Sequence, residues 1–323
     1  MEILYCGSPI YSRKLLEAIA EKHTIVCVVS NPDKVSDRTR KPNPTPVAEF
    51  ALEKNIPLFR LENLKDTAFL DVLANNKIDV GIVFAYGKIL PAEFFTKPKY
   101  GCLNLHGSLL PDLRGASPFQ TAILKGYKKS GWTLQKVAKG LDEGDILAQV
   151  EFDIYENETT EELIERVLPL GIELVLKVLD NLEFYWNNAK KQQEEQATYC
   201  YKINPEMAWI NWKESSLKIH NFIRALNPNP IAKTNLKKDN KIISNIKIYR
   251  SNYHLPEFFR KIQDNNKESG YIEVIKQNKK NHLFVKTLDD WLEILEIQYP
   301  NKKKLNSHDF INGNFVQTGD MFL

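Results

Sequence analysis

Four short apolar runs rich in strand-forming residues, Glu2 to Cys6, Thr24 to Ser30, Val80 to Ala85 and Gly101 to Leu105, are interleaved with stretches of helical periodicity. The helical stretches are Ser12 to Glu21, Pro46 to Lys54 and Pro118 to Lys125. Strands that alternate with helices and read as nearly continuous apolar runs predict an α/β unit, a mostly parallel sheet covered by helices. Gly7-Ser8-Pro9 follows the first run where a dinucleotide-binding fingerprint would stand, but it holds a single glycine, so a nicotinamide site is not expected. It reads instead as a tight strand-to-helix turn.

The fourth run ends unusually. Gly101-Cys-Leu-Asn-Leu-His-Gly-Ser-Leu-Leu-Pro-Asp-Leu-Arg-Gly115 opens as a buried strand and breaks into a Gly/Pro loop, with Asn104 and His106 on what should be an apolar element. Positions i and i+2 of a strand share a face, so the amide and the imidazole point the same way. Open α/β sheets bind ligands beyond the carboxyl ends of their strands, which is where this pair stands. Further on, Gly140-Leu-Asp-Glu-Gly-Asp-Ile-Leu147 places Asp142 among turn residues, between strands predicted at Gly131 to Val137 and Ile146 to Ile154.

An amide, an imidazole and a carboxylate suit acyl transfer to an amine. The carbonyl oxygen becomes an oxyanion as the amine attacks, and fixed N–H donors in a dry cleft stabilise it. The attacking nitrogen must shed a proton while the leaving nitrogen gains one, which needs a group titrating near neutrality and a carboxylate to orient it. No Ser or Cys stands beside a His as an activated nucleophile should, so the transfer is expected to be direct and metal-free.

Asn-Leu-His-Gly-Ser-Leu-Leu-Pro-x-x-Arg-Gly, together with Gly-Leu-Asp-x-Gly-Asp, resembles the signature of the folate-dependent formyltransferases, and within them the branch that formylates charged initiator tRNA. The likeness runs from Met1 to Leu323. It implies a Rossmann-like formyltransferase domain followed by a smaller OB-like β-barrel, with 10-formyltetrahydrofolate as donor and Asn104, His106 and Asp142 as the catalytic trio. It places Ser108, Leu109, Leu110 and Pro111 against the folate, with the backbone around Tyr86, Gly87 and Ile89 helping to hold the pterin. Gly7 and Pro9 become a wall of the acceptor pocket.

The resemblance also gives a role to Asn31 to Pro46, whose four prolines exclude regular structure and whose Lys34, Arg38, Arg40 and Lys41 outnumber Asp33 and Asp37. In position this stretch matches the loop that contacts the acceptor stem of tRNA. The chain departs from the family there, with Asp37 and Thr39 flanking Arg38 where glycines are usual. It departs also at Ala138, where an acidic residue is common, and at Asn229, where a tryptophan stands between two prolines.

Thr159-x-x-Glu162 has capping-box spacing and opens a helix towards Tyr185, interrupted or kinked near Pro169 and Gly171. The polar stretch that follows reads as a linker. The expected organisation is a catalytic domain over residues 1–186, a linker over 187–204 and a barrel over 205–323. In the last part a helix near Ser215 to Leu226 precedes β-like runs at Ile242 to Tyr249, Gly270 to Lys276, Leu283 to Lys286 and Leu292 to Ile297.

Charge divides along the same line. Residues 205–323 hold 19 Lys and Arg against 13 Asp and Glu, whereas residues 1–204 hold 25 against 28. A basic unit joined to an acidic one suits a phosphate-rich acceptor. The four cysteines are widely separated and suggest neither disulfides nor zinc. No apolar run approaches the roughly 20 residues of a membrane span, so a cytoplasmic monomer without membrane contact is expected. The same trio and donor would also serve an amino-sugar nucleotide formyltransferase, and a noncatalytic tRNA-binding module is the reading from another class.

Overall fold

The computed structural model describes residues 1–35, 42–61, 67–239 and 241–323. The chain forms two compact units, the first comprising residues 1–118, 129–153 and 164–201, the second residues 119–128, 154–163 and 202–323.

A seven-stranded sheet is the spine of the first unit. Its strands are β1 (Glu2–Gly7), β2 (Thr24–Ser30), β3 (Leu58–Arg60), β4 (Val80–Phe84), β5 (Cys102–His106), β6 (Lys129–Lys136) and β7 (Ile146–Asp153). Their spatial order is β7-β6-β5-β4-β1-β2-β3. The five strands from β5 to β3 are parallel, and β6 and β7 add an antiparallel edge. The runs expected to be buried on both faces are so, with Ile3, Leu4, Tyr5, Cys6, Val80 and Ile82 all without exposed surface.

Helices α1 (Ile10–Ala20) and α2 (Pro46–Glu53) follow β1 and β2. Thr45 caps α2 by accepting from the Ala48 amide at 3.1 Å, and Pro46 supplies its first residue, where no amide hydrogen is needed. Several elements were not foreseen, β3 and α3 (Thr67–Asn75) among them. β3 has only three residues, too few to show alternation, and α3 spans nine; α4 (Ala92–Phe95) and the expected α5 (Pro118–Leu124) complete the described helices before β6.

The long helix α6 (Thr160–Asp180) opens on the expected box, with the Thr159 amide donating to Glu162 Oε2 at 2.9 Å and the Glu162 amide returning to Thr159 Oγ1 at 3.3 Å. The interruption expected near Pro169 and Gly171 is corrected. The helix runs through Pro169 and the chain breaks only at Asn181, before α7 (Leu182–Asn187). Gly171 serves packing instead, since a Cβ there would meet the Trp132 ring at 3.0 Å. Trp132 is wholly buried and its indole donates to the Val167 carbonyl at 2.8 Å.

The second unit is built on an all-antiparallel sheet. With α8 (Ser216–Ala225) ahead of it, the strands are β8 (Ala232–Lys238), β9 (Lys241–Asn252), β10 (Ile272–Gln277), β11 (Lys280–Lys286), β12 (Trp291–Gln298), β13 (Lys304–Asn306) and β14 (Met321–Phe322). The order is β10-β11-β12-β9-β8-β14, and β13 pairs with β12. The sheet closes on itself, because the Phe322 amide donates to the Gly270 carbonyl at 2.8 Å and the Ile272 amide to Asp320 at 3.0 Å. Closure leaves no long open edge, as in small barrels. Ile246, Ile248, Leu283, Leu292, Ile294 and Phe310 fill the interior. Among the described residues no helix is long and apolar enough to cross a membrane.

His220 of α8 lies buried between Ser251 Oγ and the Glu156 carbonyl, each at 3.0 Å. Burial pushes its imidazole down to about 4, against a partial upward pull from the Glu156 carbonyl.

Two expectations follow from this packing. Gly171→Val should destabilise the first unit by about 1–3 kcal/mol through overpacking against Trp132, seen as a lower urea midpoint; an unchanged midpoint would refute the close approach. The second unit should lose stability as pH falls from about 6.5 to about 4, where the unfolded chain takes up a proton that folded His220 refuses. His220→Gln should flatten that slope in urea titrations across the same range.

Candidate active site

β4 and β5 run parallel, so the segments that follow them emerge at one edge of the sheet. β5 delivers Asn104 and His106 there, the first half-buried, the second 6% exposed. β6 turns back beside β5 in antiparallel register, Asn104 facing Gln135 and His106 facing Thr133. The loop from β6 to β7 then carries Asp142 into the same place.

The three groups meet. Asp142 Oδ1 accepts from Asn104 Nδ2 at 3.3 Å and from Gln135 Nε2 at 2.8 Å. Oδ2 accepts from the Gly115 amide at 2.9 Å and lies 3.6 Å from His106 Nδ1. The other ring nitrogen, Nε2, is 2.9 Å from the Leu113 carbonyl. A carbonyl can only accept, so Nε2 carries a hydrogen and Nδ1 is left facing the carboxylate. A proton gained by this ring therefore arrives on the side of Asp142.

Two residues hold backbone conformations rare for side-chain-bearing residues, Asp142 at φ 52° and Leu113 at φ 55°. Both are braced by the stretch that follows α7. Thr198 Oγ1 accepts from the Leu113 amide at 2.9 Å, and Tyr199–Cys200 pairs in parallel with Arg114–Gly115. Gly115, at φ 122°, must be glycine, since a Cβ would strike the Cys200 carbonyl.

The residues expected to face the folate divide by geometry. Ser108 to Pro111 form the loop leaving β5, pinned by Thr133, which donates to the Ser108 carbonyl at 2.6 Å and accepts from the Leu110 amide at 3.1 Å. Leu109 packs over Gly131, Leu110 is buried and Pro111 half-buried. After β4 the Tyr86 ring is buried among Leu4, Cys6 and Cys27, so only its backbone faces outward, and its carbonyl already accepts from Asn31 Nδ2 at 2.8 Å. Gly87, at φ 78°, and Ile89, 87% exposed, leave open space.

Of the basic residues assigned to RNA, Lys34 starts a two-residue pairing with Pro42–Asn43, while Arg38, Arg40 and Lys41 lie outside the described residues. Gln135, Gln192 and Arg114 belong to the site and were missed. Gln135 carried the same signal as Asn104, an amide in an apolar strand. Gln192, in a polar stretch, carried none.

A thiol nucleophile does not fit this centre. All four cysteines are buried and outside any disulfide, and burial pushes the thiols of Cys6 and Cys102 up and that of Cys27 up to about 12. Among the described residues no group of three His, Cys, Asp or Glu could hold a metal ion.

The sequence and the fold have counterparts. A family model described as formyl transferase matches residues 2–179, and one described as formyl transferase, C-terminal domain, matches residues 202–314. A methionyl-tRNA formyltransferase of Fusobacterium nucleatum is 38% identical over 323 residues, 99% of either chain. Another, of Leptospira interrogans, is 39% identical over 328 residues and the whole of both chains. The solved structure of WlaRD, a sugar 3N-formyl transferase in the presence of dTDP and 5-N-formyl-THF, superposes with a TM-score of 0.61 at 25% identity, over 94% of this chain and 99% of that one. With both halves matched and full-length likeness at this level, the chain belongs to the formyl transferase family, in its methionyl-tRNA formyltransferase branch.

Proposed function

We propose that this enzyme moves the formyl group of 10-formyltetrahydrofolate to the free amine of methionyl-initiator tRNA. The observation that carries the chemistry is the Asp142 carboxylate, anchored by Asn104, Gln135 and the Gly115 amide and set beside His106. The amine attacks the formyl carbon, the new C–N bond forms, and the bond from that carbon to the folate nitrogen breaks. The proton lost by the amine goes to the departing nitrogen, by way of water or His106. Asn104 has a second amide hydrogen beyond the one given to Asp142, and it donates to the oxyanion, whereas His106, its Nε2 hydrogen held by the Leu113 carbonyl, acts through the charge its ring gains at Nδ1. Asp142 fixes the ring and balances the positive charge that forms there. Ser108 to Pro111 and the backbone around Gly87 and Ile89 hold the donor, with no metal required.

The second unit supports an RNA acceptor. A single register row crosses its outer face: Trp209 bridges to Lys233, which pairs with Lys247, then Gln298, then Lys304. Their neighbours Ala232, Thr234, Ile246, Ile248 and Ile297 point inward. Like charges directly opposite each other are unfavourable in a sheet, so Lys233 facing Lys247 is relieved by an anion. Lys233 also lies over the exposed Trp209 ring at 4.5 Å, the kind of platform on which a base stacks.

Replacing Asp142 by Asn or His106 by Ala should each lower kcat about 10²-fold or more, judged from lost oxyanion donors elsewhere; rates near wild type would end the assignment of roles. Offered side by side, charged initiator tRNA should be formylated and an amino-sugar nucleotide should not. Lys233→Ala with Lys247→Ala should weaken tRNA binding and reduce the slope of log K against log salt by about 2, with folate binding unchanged. An unaltered slope would remove this face from the RNA contact.

A further inference from the structure

Gln192 stands outside every recognisable motif, yet its carboxamide is the joint of the site. Nε2 donates to the carbonyls of Asp142 and Gly144, at 2.8 and 2.7 Å, with Gln135 Oε1 at 3.3 Å. Two hydrogens on that nitrogen serve the two short contacts. On its other side Oε1 accepts from Arg114 Nε at 3.0 Å. Arg114 is itself 1% exposed and holds both carboxylate oxygens of Glu194 through Nη1, at 2.9 and 3.0 Å. One amide thus ties the loop bearing Asp142 to the loop leaving β5 and to the stretch after α7.

The backbone it grips needs holding. Asp142 sits at φ 52°, a conformation costing about 1–3 kcal/mol that persists only when the surroundings enforce it. The side chain is fixed by Asn104, Gln135 and Gly115, but those contacts fix the carboxylate only if the main chain beneath it stays in place. We infer that Gln192 is a positioning residue for catalysis: by clamping the Asp142 and Gly144 carbonyls it holds the carboxylate at His106. This rests on the roles proposed above for Asp142 and His106.

The test is Gln192→Met in the full chain, which keeps length and volume and removes both donors. With 10-formyltetrahydrofolate and charged initiator tRNA as substrates, kcat should fall about 10- to 100-fold, the range expected when a reacting group is misplaced by up to 1 Å. KM for both substrates should stay within about twofold, the thermal midpoint should be retained, and the acid limb of the kcat–pH profile should move. Gln192→Glu, which presents only acceptors to two carbonyls, should fall further. In the Asp142→Asn background, Gln192→Met should add little further loss, because it acts through that side chain. A wild-type kcat, a loss that adds fully to Asp142→Asn, or a loss that tracks a lowered thermal midpoint would each overturn the inference. If Asp142→Asn alone proves fully active, the proposed chemistry fails instead.

Discussion

An ionised carboxylate taken out of water must be met by donors, or its burial costs several kcal/mol. Asp142 meets this demand with the side-chain amides of Asn104 and Gln135 and the main-chain amide of Gly115, drawn from β5, β6 and the loop between them. Each donor is therefore also a constraint. The carboxylate can be satisfied only where the strands and the loop are correctly set, so the electrostatics of the site and the register of the sheet enforce one another. His106 stands at 3.6 Å, near enough to feel the charge and not locked to it.

The antiparallel edge follows from the same requirement. A further parallel strand would need a crossover helix and would enter the sheet from the opposite end. Turned back beside β5, β6 places Gln135 against Asn104 and Thr133 against His106 and ends level with Leu103, and from the loop that follows Asp142 reaches back to Asn104, Gln135 and the Gly115 amide. Thr133 then pins the Ser108 to Leu110 loop from beneath. A tight set of contacts is reached with one strand reversal. Its cost is local strain at Leu113 and Asp142, which the stretch after α7 absorbs through Thr198 and Gln192.

How legible was this in the sequence? The parallel strands were plain, because double-sided burial leaves an unbroken apolar run, and the polar pair at the end of β5 was plain for the opposite reason. Asp142 was visible as a carboxylate among turn residues. What escaped was whatever depends on contacts distant in the chain. The three-residue β3 shows no periodicity, and Pro169 reads as a helix breaker until packing carries α6 through it. Gln192 lies among Lys, Gln and Glu residues whose composition gives no hint that one amide is held while its neighbours face water.

Acceptor choice is set by different physics from the transfer itself. The trio needs only an amine within reach of a formyl carbon, a demand that an amino sugar meets as well as an aminoacyl ester. Selection therefore falls to surfaces away from the reacting atoms, and the excess of Lys and Arg over residues 205–323 would favour a polyanion. Lysine contacts to phosphate position an RNA without reading it, and a stacked base on Trp209 would be tolerant of sequence. The proposed row from Trp209 to Lys304 would thus favour RNA as a class and leave the choice of initiator to other contacts. That distinction requires contacts to base edges or to the end of the acceptor stem, and the Pro-rich basic stretch from Asn31 to Pro46 is the segment of this sequence whose donors suit it.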